Sequence, residues 1–236
     1  MTTLIKICGL RDAINAVAVA DAGADFVGLN FWPGSKRFVA AAHGADIAAA
    51  LRERDGQRTA VVGLFVNQSV DEIVAVAAQA HLDVIQLHGD ESADFVAEVK
   101  AATGCEVWKA VAVHPDAATI MAATLATWAN AGVAAVVLDA PTVGRGGGGV
   151  AFDWQLVADV VAARPAPGNG ANERTLGAGS HVVLAGGLHA GNVQRAMAIV
   201  RPWAIDVASA VEAMPGIKDL DKVRAFIAAV RSVASE

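Results

Sequence analysis

Short runs rich in Val, Ile and Leu alternate with longer Ala-rich stretches from one end of the chain to the other. The runs predict strands over Leu4–Cys8, Asp25–Phe31, Thr59–Val66, Asp83–Leu87, Glu106–Val113, Ala134–Asp139, His181–Ala185 and Ala204–Val207. Between and after them, helices are predicted over Ala13–Asp21, Ala42–Arg54, Val70–Ala80, Ser92–Ala102, Asp116–Asn130, Trp154–Ala163, Ala190–Val200 and Leu220–Ala234. Asp71 and Glu72 after Ser69, and Asp90 and Glu91 before Ser92, put negative charge where helix dipoles favour it. Strict strand–helix alternation argues for a parallel sheet. Eight such units in 236 residues point to an α/β fold, a closed (β/α)8 TIM barrel, as one domain over 1–236. An open doubly wound sheet ranks second. The first strand–helix turn, Cys8-Gly-Leu-Arg-Asp12, lacks the glycine spacing of a dinucleotide-binding turn.

One segment breaks the rhythm. Residues 165–180 are rich in Gly, Pro and Asn and separate the sixth helix from the seventh strand. That places them at the end of the barrel away from the usual site, so a mobile surface insertion is expected.

Composition narrows the function. Apolar residues make up 55% of the chain, ample for a core. The formal net charge of −6, with no basic block, disfavours a nucleic-acid partner. Two cysteines, Cys8 and Cys105, form no disulfide framework, and no Cys/His spacing suggests a metal site. The start resembles no signal peptide, and no stretch suits a membrane span, so a soluble cytoplasmic protein is expected.

Barrel chemistry belongs at the C-terminal ends of strands and in the loops that follow. In the first strand, Ile5 and Ile7 suit the helix-facing side, which turns Lys6 and Cys8 inward together. An ammonium near a thiol favours the thiolate, the form a base requires. Cys8 is then either a base or a buried, inert thiol. Cys105 lies just before the fifth strand and is expected only to pack. Asp139 ends the sixth strand after an apolar run, where a carboxylate is either functional or a turn cap. The glycine-rich loop 141–150 follows it, suited to close approach to a ligand or to plain flexibility. Gly186, Gly187 and Leu188 follow the seventh strand, and Ser209 and Ala210 follow the eighth, where barrels often bind phosphate. Arg37 offers a planar fork to a carboxylate or phosphate, or is a solvated loop residue. Gln86 and His88 fall on the site wall after the fourth strand.

Together these segments resemble the phosphoribosylanthranilate isomerases of tryptophan biosynthesis. The resemblance runs through Lys6-Ile-Cys-Gly-Leu10, Gly28–Arg37, Gly63-Leu-Phe-Val-Asn67, Gln86-Leu-His-Gly-Asp-Glu91 and Leu138-Asp139. It continues through Phe152-Asp-Trp154, Leu184-Ala-Gly-Gly-Leu188 with Asn192-Val193, Asp206–Glu212 and Pro215-Gly-Ile-Lys-Asp219. Only the 165–180 insertion falls outside it. The resemblance implies an Amadori rearrangement of N-(5-phosphoribosyl)anthranilate to 1-(2-carboxyphenylamino)-1-deoxyribulose 5-phosphate, the third step from chorismate. It maps the general acid to Asp139 and the general base to Cys8. It maps the anthranilate carboxylate to Arg37 and the phosphate to residues 186–188 and 209–210. No cofactor or metal is implied, the partner is a small phosphosugar, and monomer and homodimer both occur in the family. The sequence departs from the family at Ala208, usually Ser or Asn, and at Ala210, usually Gly. If residue 210 needs a positive φ, the phosphate loop must shift.

Two other readings stand beside this one. A phosphosugar lyase or epimerase would use catalytic lysines, for which Lys6 and Lys109 are candidates. A barrel that binds a phosphosugar without turning it over is the non-catalytic alternative.

Overall fold

A computed structural model describes residues 3–54, 59–114, 118–141, 152–162, 175–176 and 180–232. Strands β1 (Leu4–Cys8), β2 (Phe26–Asn30), β3 (Ala60–Phe65), β4 (Val84–Leu87), β5 (Glu106–Ala112) and β6 (Ala135–Asp139) pair in order, all parallel. The short β7 (Thr175–Leu176) runs antiparallel to β8 (Ser180–Leu184). β8 pairs β6 and β9 (Ala204–Val207), and β9 pairs β1, closing an eight-stranded parallel barrel. The helices are α1 (Ala13–Asp21), α2 (Ala41–Arg52), α3 (Val70–Gln79), α4 (Ala93–Thr103), α5 (Ala118–Asn130), α6 (Trp154–Ala162), α7 (Val193–Val200) and α8 (Leu220–Ser232). The predicted strands and helices correspond one to one, with ends shifted by up to three residues within the described residues; the predicted helix ends at 116–117, 163 and 233–234 lie outside them. β7 and a second small sheet, the antiparallel pair β10 (Glu212–Met214) and β11 (Ile217–Lys218), have no counterpart among the predicted elements. Apart from Thr175, Leu176 and Ser180, the expected insertion lies outside the described residues, as do residues 142–150 of the glycine-rich loop. No helix among the described residues is long and apolar enough to cross a membrane.

The register fixes what each strand points inward. Partners step from Phe26 to Ala60, then Val62 to Val84 to Glu106, then Trp108 to Ala135 to His181. They finish from Val183 to Ala204 to Leu4, and from Lys6 back to Phe26. The walk climbs two residues at each of four places, which is the shear of eight expected of this barrel. Alternation then stacks the interior in layers of four. Phe26, Val84, Ala135 and Ala204 form the lowest of three. Lys6, Val62, Trp108 and Val183 lie above them, and Gly28, Gln86, Val137 and Asp206 above those. Cys8 rises from the next level with Leu64, Ala110 and Ala185. Trp203 and His181, stacked with centroids 4.2 Å apart, plug the opposite end.

Local sequence sets the helix starts. Asp12 caps α1 through the Asn15 N–H at 2.8 Å. Ser69 and Glu72 form a capping box on α3, and Ser92 caps α4. Lys109 turns away from the barrel interior. Its ammonium donates to the Gly89 carbonyl at 2.7 Å and to Glu91 at 3.1 Å, and it lies over the Trp128 ring. Glu91 in turn accepts from the Asn67 and Gly89 N–H groups. This buried pair props the loop after β4, so Lys109 is not among the interior side chains at the mouth.

Candidate active site

Lys6 and Cys8 share the inward face of β1, as alternation predicts. Lys6 has no exposed surface and donates to Asp206 Oδ2 on neighbouring β9 at 2.8 Å. A lone ammonium here would be untenable, and its carboxylate partner makes it affordable. Burial works against the Lys6 charge, but Asp206 and then Cys8 outweigh it and leave the ammonium firmly protonated. Cys8 behaves differently from the sequence expectation. Burial is the largest influence and pushes the thiol above its usual range; Lys6 and Lys218 pull the other way without reversing it. The sequence showed the ammonium but not the desolvation, which is the larger effect.

Space for the thiol comes from β2. A Cβ on Gly28 would stand 2.7 Å from Cys8 Sγ and 3.0 Å from its Cα. Gly28→Ala is therefore expected to cost about 1–3 kcal/mol through overpacking and to displace Cys8. Thermal melts and kcat measured together will check this; a fully active variant of unchanged stability would contradict it.

Arg37 lies over the end of β1 in an ion-pair cluster that the sequence reading did not assign. Its Nε and Nη2 donate to the two Glu212 oxygens at 2.7 and 2.8 Å. Lys218 on β11, its side chain fully buried, donates to Glu212 Oε1 at 2.9 Å and to the Ala208 carbonyl at 3.0 Å. Burial opposes the Glu212 charge, but Arg37 and Lys218 overcome it and hold its carboxyl below the usual range. Burial, only partly offset by Glu212, lowers the Lys218 pKa. The β10–β11 hairpin thus brings a second ammonium into the electrostatic environment of Cys8.

Asp139 sits at the end of β6, on the level above Cys8. Its Oδ1 accepts from the Ala140 N–H at 2.8 Å, and its Oδ2 stands 3.5 Å from His88 Nε2. His88 Nδ1 lies 3.3 Å from Gln86 Nε2, so the two residues named for the site wall line up behind the carboxyl group. Gln86 Oε1 and Asp206 Oδ1, in one interior layer, are buried acceptors without a hydrogen-bond partner among the described residues. Gly186 has φ +78°, and a Cβ there would strike the Ala140 nitrogen at 2.5 Å, so only glycine lets the end of β8 close on Asp139. Asn192 Nδ2 ties down the Gly187 carbonyl at 2.9 Å, while Leu188 is buried in the core.

Ser209–Val211 forms a short 3-10 turn after β9. Ala210 is exposed and is not among the positive-φ residues, so alanine carries no backbone penalty there. The departure from the family at this position needs no loop shift. Ala210→Gly is accordingly expected to leave KM within about twofold, the range of a neutral surface change. A steady-state titration checks it, and a clear fall in KM would restore the strained-loop idea.

These groups suit proton transfer on an anionic substrate. A buried thiol and a carboxyl group rise at the mouth, flanked by Lys6, Lys218 and Arg37. Among the described residues, no group of three or more His, Cys, Asp or Glu side chains is arranged to hold a metal ion.

The family model for N-(5'-phosphoribosyl)anthranilate (PRA) isomerase matches residues 5–229. The chain belongs to the PRA isomerase family. The PRA isomerase of Myxococcus xanthus is 38% identical over 233 residues, covering 99% of this chain and 98% of that one. The crystal structure of PRA isomerase from Thermotoga maritima superposes with a TM-score of 0.81 at 32% identity, covering 98% of this chain and all of the other. A PRA isomerase solved with reduced 1-(o-carboxyphenylamino)-1-deoxyribulose 5-phosphate aligns with a TM-score of 0.78 at 30% identity, covering 98% and 100% of the two chains. PRA isomerase membership thus agrees with the barrel topology and with the polar groups gathered at its mouth.

Proposed function

We propose that this chain converts N-(5-phosphoribosyl)anthranilate to 1-(2-carboxyphenylamino)-1-deoxyribulose 5-phosphate in tryptophan biosynthesis, with Asp139 as general acid and Cys8 as general base. The observation that carries the assignment is Cys8 and Asp139 on adjacent levels of one barrel mouth, with three cations around the thiol. Asp139 gives its proton to the furanose ring oxygen. The bond from that oxygen to C1 breaks, and the nitrogen lone pair forms a protonated Schiff base. The thiolate of Cys8 removes the C2 proton, and the electron pair moves to give the enolamine, which tautomerises to the C2 ketone. The protein exchanges only protons with the substrate, so one acid and one base suffice.

Arg37 holds the anthranilate carboxylate in this reading. Gly186, Gly187, Leu188, Ser209 and Ala210 form the phosphate wall through backbone N–H groups. Lys6 acts beneath the site rather than on the substrate, because its ammonium is fully buried against Asp206. The same pairing disfavours a lyase or epimerase built on Lys6. The test generates phosphoribosylanthranilate in situ and follows its disappearance. Turnover is expected with wild-type protein; binding without turnover would leave the non-catalytic reading standing.

A further inference from the structure

We propose that Glu212 is a positioning residue that gives the site its preference for a carboxylated aryl amine, by fixing the plane of Arg37. The proposal rests on the assignment of Arg37 to the substrate carboxylate.

A guanidinium carries five N–H donors in a rigid plane. Glu212 engages the edge formed by Nε and Nη2 at 2.7 and 2.8 Å. The edge formed by Nη1 and the other Nη2 hydrogen makes no hydrogen bond among the described residues and suits a second planar carboxylate. The stem is fixed too: it crosses Gly9, where a Cβ would come 2.3 Å from Arg37 Cδ. Glu212 lies beneath at 6% side-chain exposure and Arg37 reaches outward at 17%, so the clamp is buried and its cation faces the mouth.

Glu212 is itself held from several sides. The Gly216 N–H donates to Oε1 at 3.1 Å, Lys218 to the same oxygen at 2.9 Å, and Lys222 to its backbone carbonyl at 2.9 Å. Lys218 also grips the Ala208 carbonyl, at the entry to the Ser209–Val211 turn. One carboxylate therefore links Arg37 to the hairpin and, through Lys218, to the proposed phosphate loop. The charge balance matters as much as the geometry. Arg37 paired with Glu212 alone would be neutral and would offer a second carboxylate little attraction. With Lys218, two cations face one carboxylate, which leaves one positive charge for an incoming anion.

The test pairs a change in the protein with a change in the ligand. Dissociation constants are measured for reduced 1-(o-carboxyphenylamino)-1-deoxyribulose 5-phosphate and for the same molecule built on aniline, which lacks the carboxylate. Neither ligand reacts, so the readout is independent of turnover. Glu212→Gln keeps the size and removes the charge. It adds net positive charge at the site but releases the plane of Arg37, so the carboxylated ligand is expected to weaken at least about tenfold through lost pre-organisation. The aniline ligand is expected to move less than about threefold, because its contacts do not involve Arg37 and Lys218 keeps its separate bond to the Ala208 carbonyl beside the phosphate loop. Glu212→Asp keeps the charge at a shorter reach and should fall between wild type and Glu212→Gln. It also supplies the readout if Glu212→Gln does not fold. Equal loss of both ligands, or loss of neither, overturns the proposal. If wild-type protein does not itself prefer the carboxylated ligand, the Arg37 assignment falls, and the role of Glu212 falls with it.

Discussion

Cys8→Ala is expected to lower kcat by about 10²–10⁴-fold, the range for removing a general base, while KM stays within a few fold. The split follows from placement. In the proposed mechanism the thiol acts only on the C2 proton, whereas Arg37 and the loops after β8 and β9 hold the two ends of the substrate. The fold should persist, because Lys6 keeps its partner Asp206 at 2.8 Å when the sulfur is gone. Wild-type pH dependence should carry the same signature. The proposed active form is the thiolate, so kcat/KM is expected to rise with pH as the free enzyme loses the Cys8 proton. Burial holds the thiol above its ordinary range, so the rise should continue past about pH 8.5, the usual thiol pKa. Steady-state kinetics across pH will test both points. Full activity in Cys8→Ala would refute the base assignment, and a rate flat across the thiol range would remove the ionisation from the mechanism.

Asp139→Asn should also lose about 10²–10⁴-fold in kcat, for a different reason. An amide of the same shape can still accept from the Ala140 N–H, so the end of β6 should keep its geometry. What it lacks is an acidic proton for the ring oxygen, and ring opening stalls. Because the reduced product analogue is already open, its affinity should change by less than about threefold. Calorimetric titration against that analogue, beside the turnover assay, separates the two effects. A large loss of analogue binding with kcat preserved would make Asp139 a binding group and not the acid.

Much of the fold was legible because parallel barrel strands are buried on both faces and stand out as apolar runs between helical stretches. Leu4–Cys8 and Ala204–Val207 match their predicted bounds residue for residue. The inward pairing of Lys6 and Cys8 followed from two isoleucines and a period of two. The β10–β11 hairpin did not show itself. Its strands have three and two residues, too few for a period, and Glu-Ala-Met and Ile-Lys carry no common strand signature. Glu212 and Asp206 were visible only as letters within a matching stretch. Their meaning lies in partners 175 and 200 positions away, Arg37 and Lys6, which meet them only when the barrel closes. The same limit applies to Cys8. Its ammonium neighbour is two residues away and readable, but the burial that governs its titration is a property of the whole closed mouth. Ala210 looked hazardous because glycine is usual there, and only the backbone of the 3-10 turn shows that no positive φ is required.

One reaction is divided between two residues in this mechanism, and an isotope effect at C2 separates their roles. Substrate deuterated at the sugar C2 is compared with normal substrate in Cys8→Ser and in Asp139→Asn. If Cys8 removes the C2 proton, the weaker base in Cys8→Ser makes that step limiting, and a full primary isotope effect appears. If Asp139 opens the ring, Asp139→Asn stalls before C2 is touched, and its isotope effect falls close to unity. Equal effects in the two variants, or the reverse order, would contradict the assignment of Cys8 as base and Asp139 as acid.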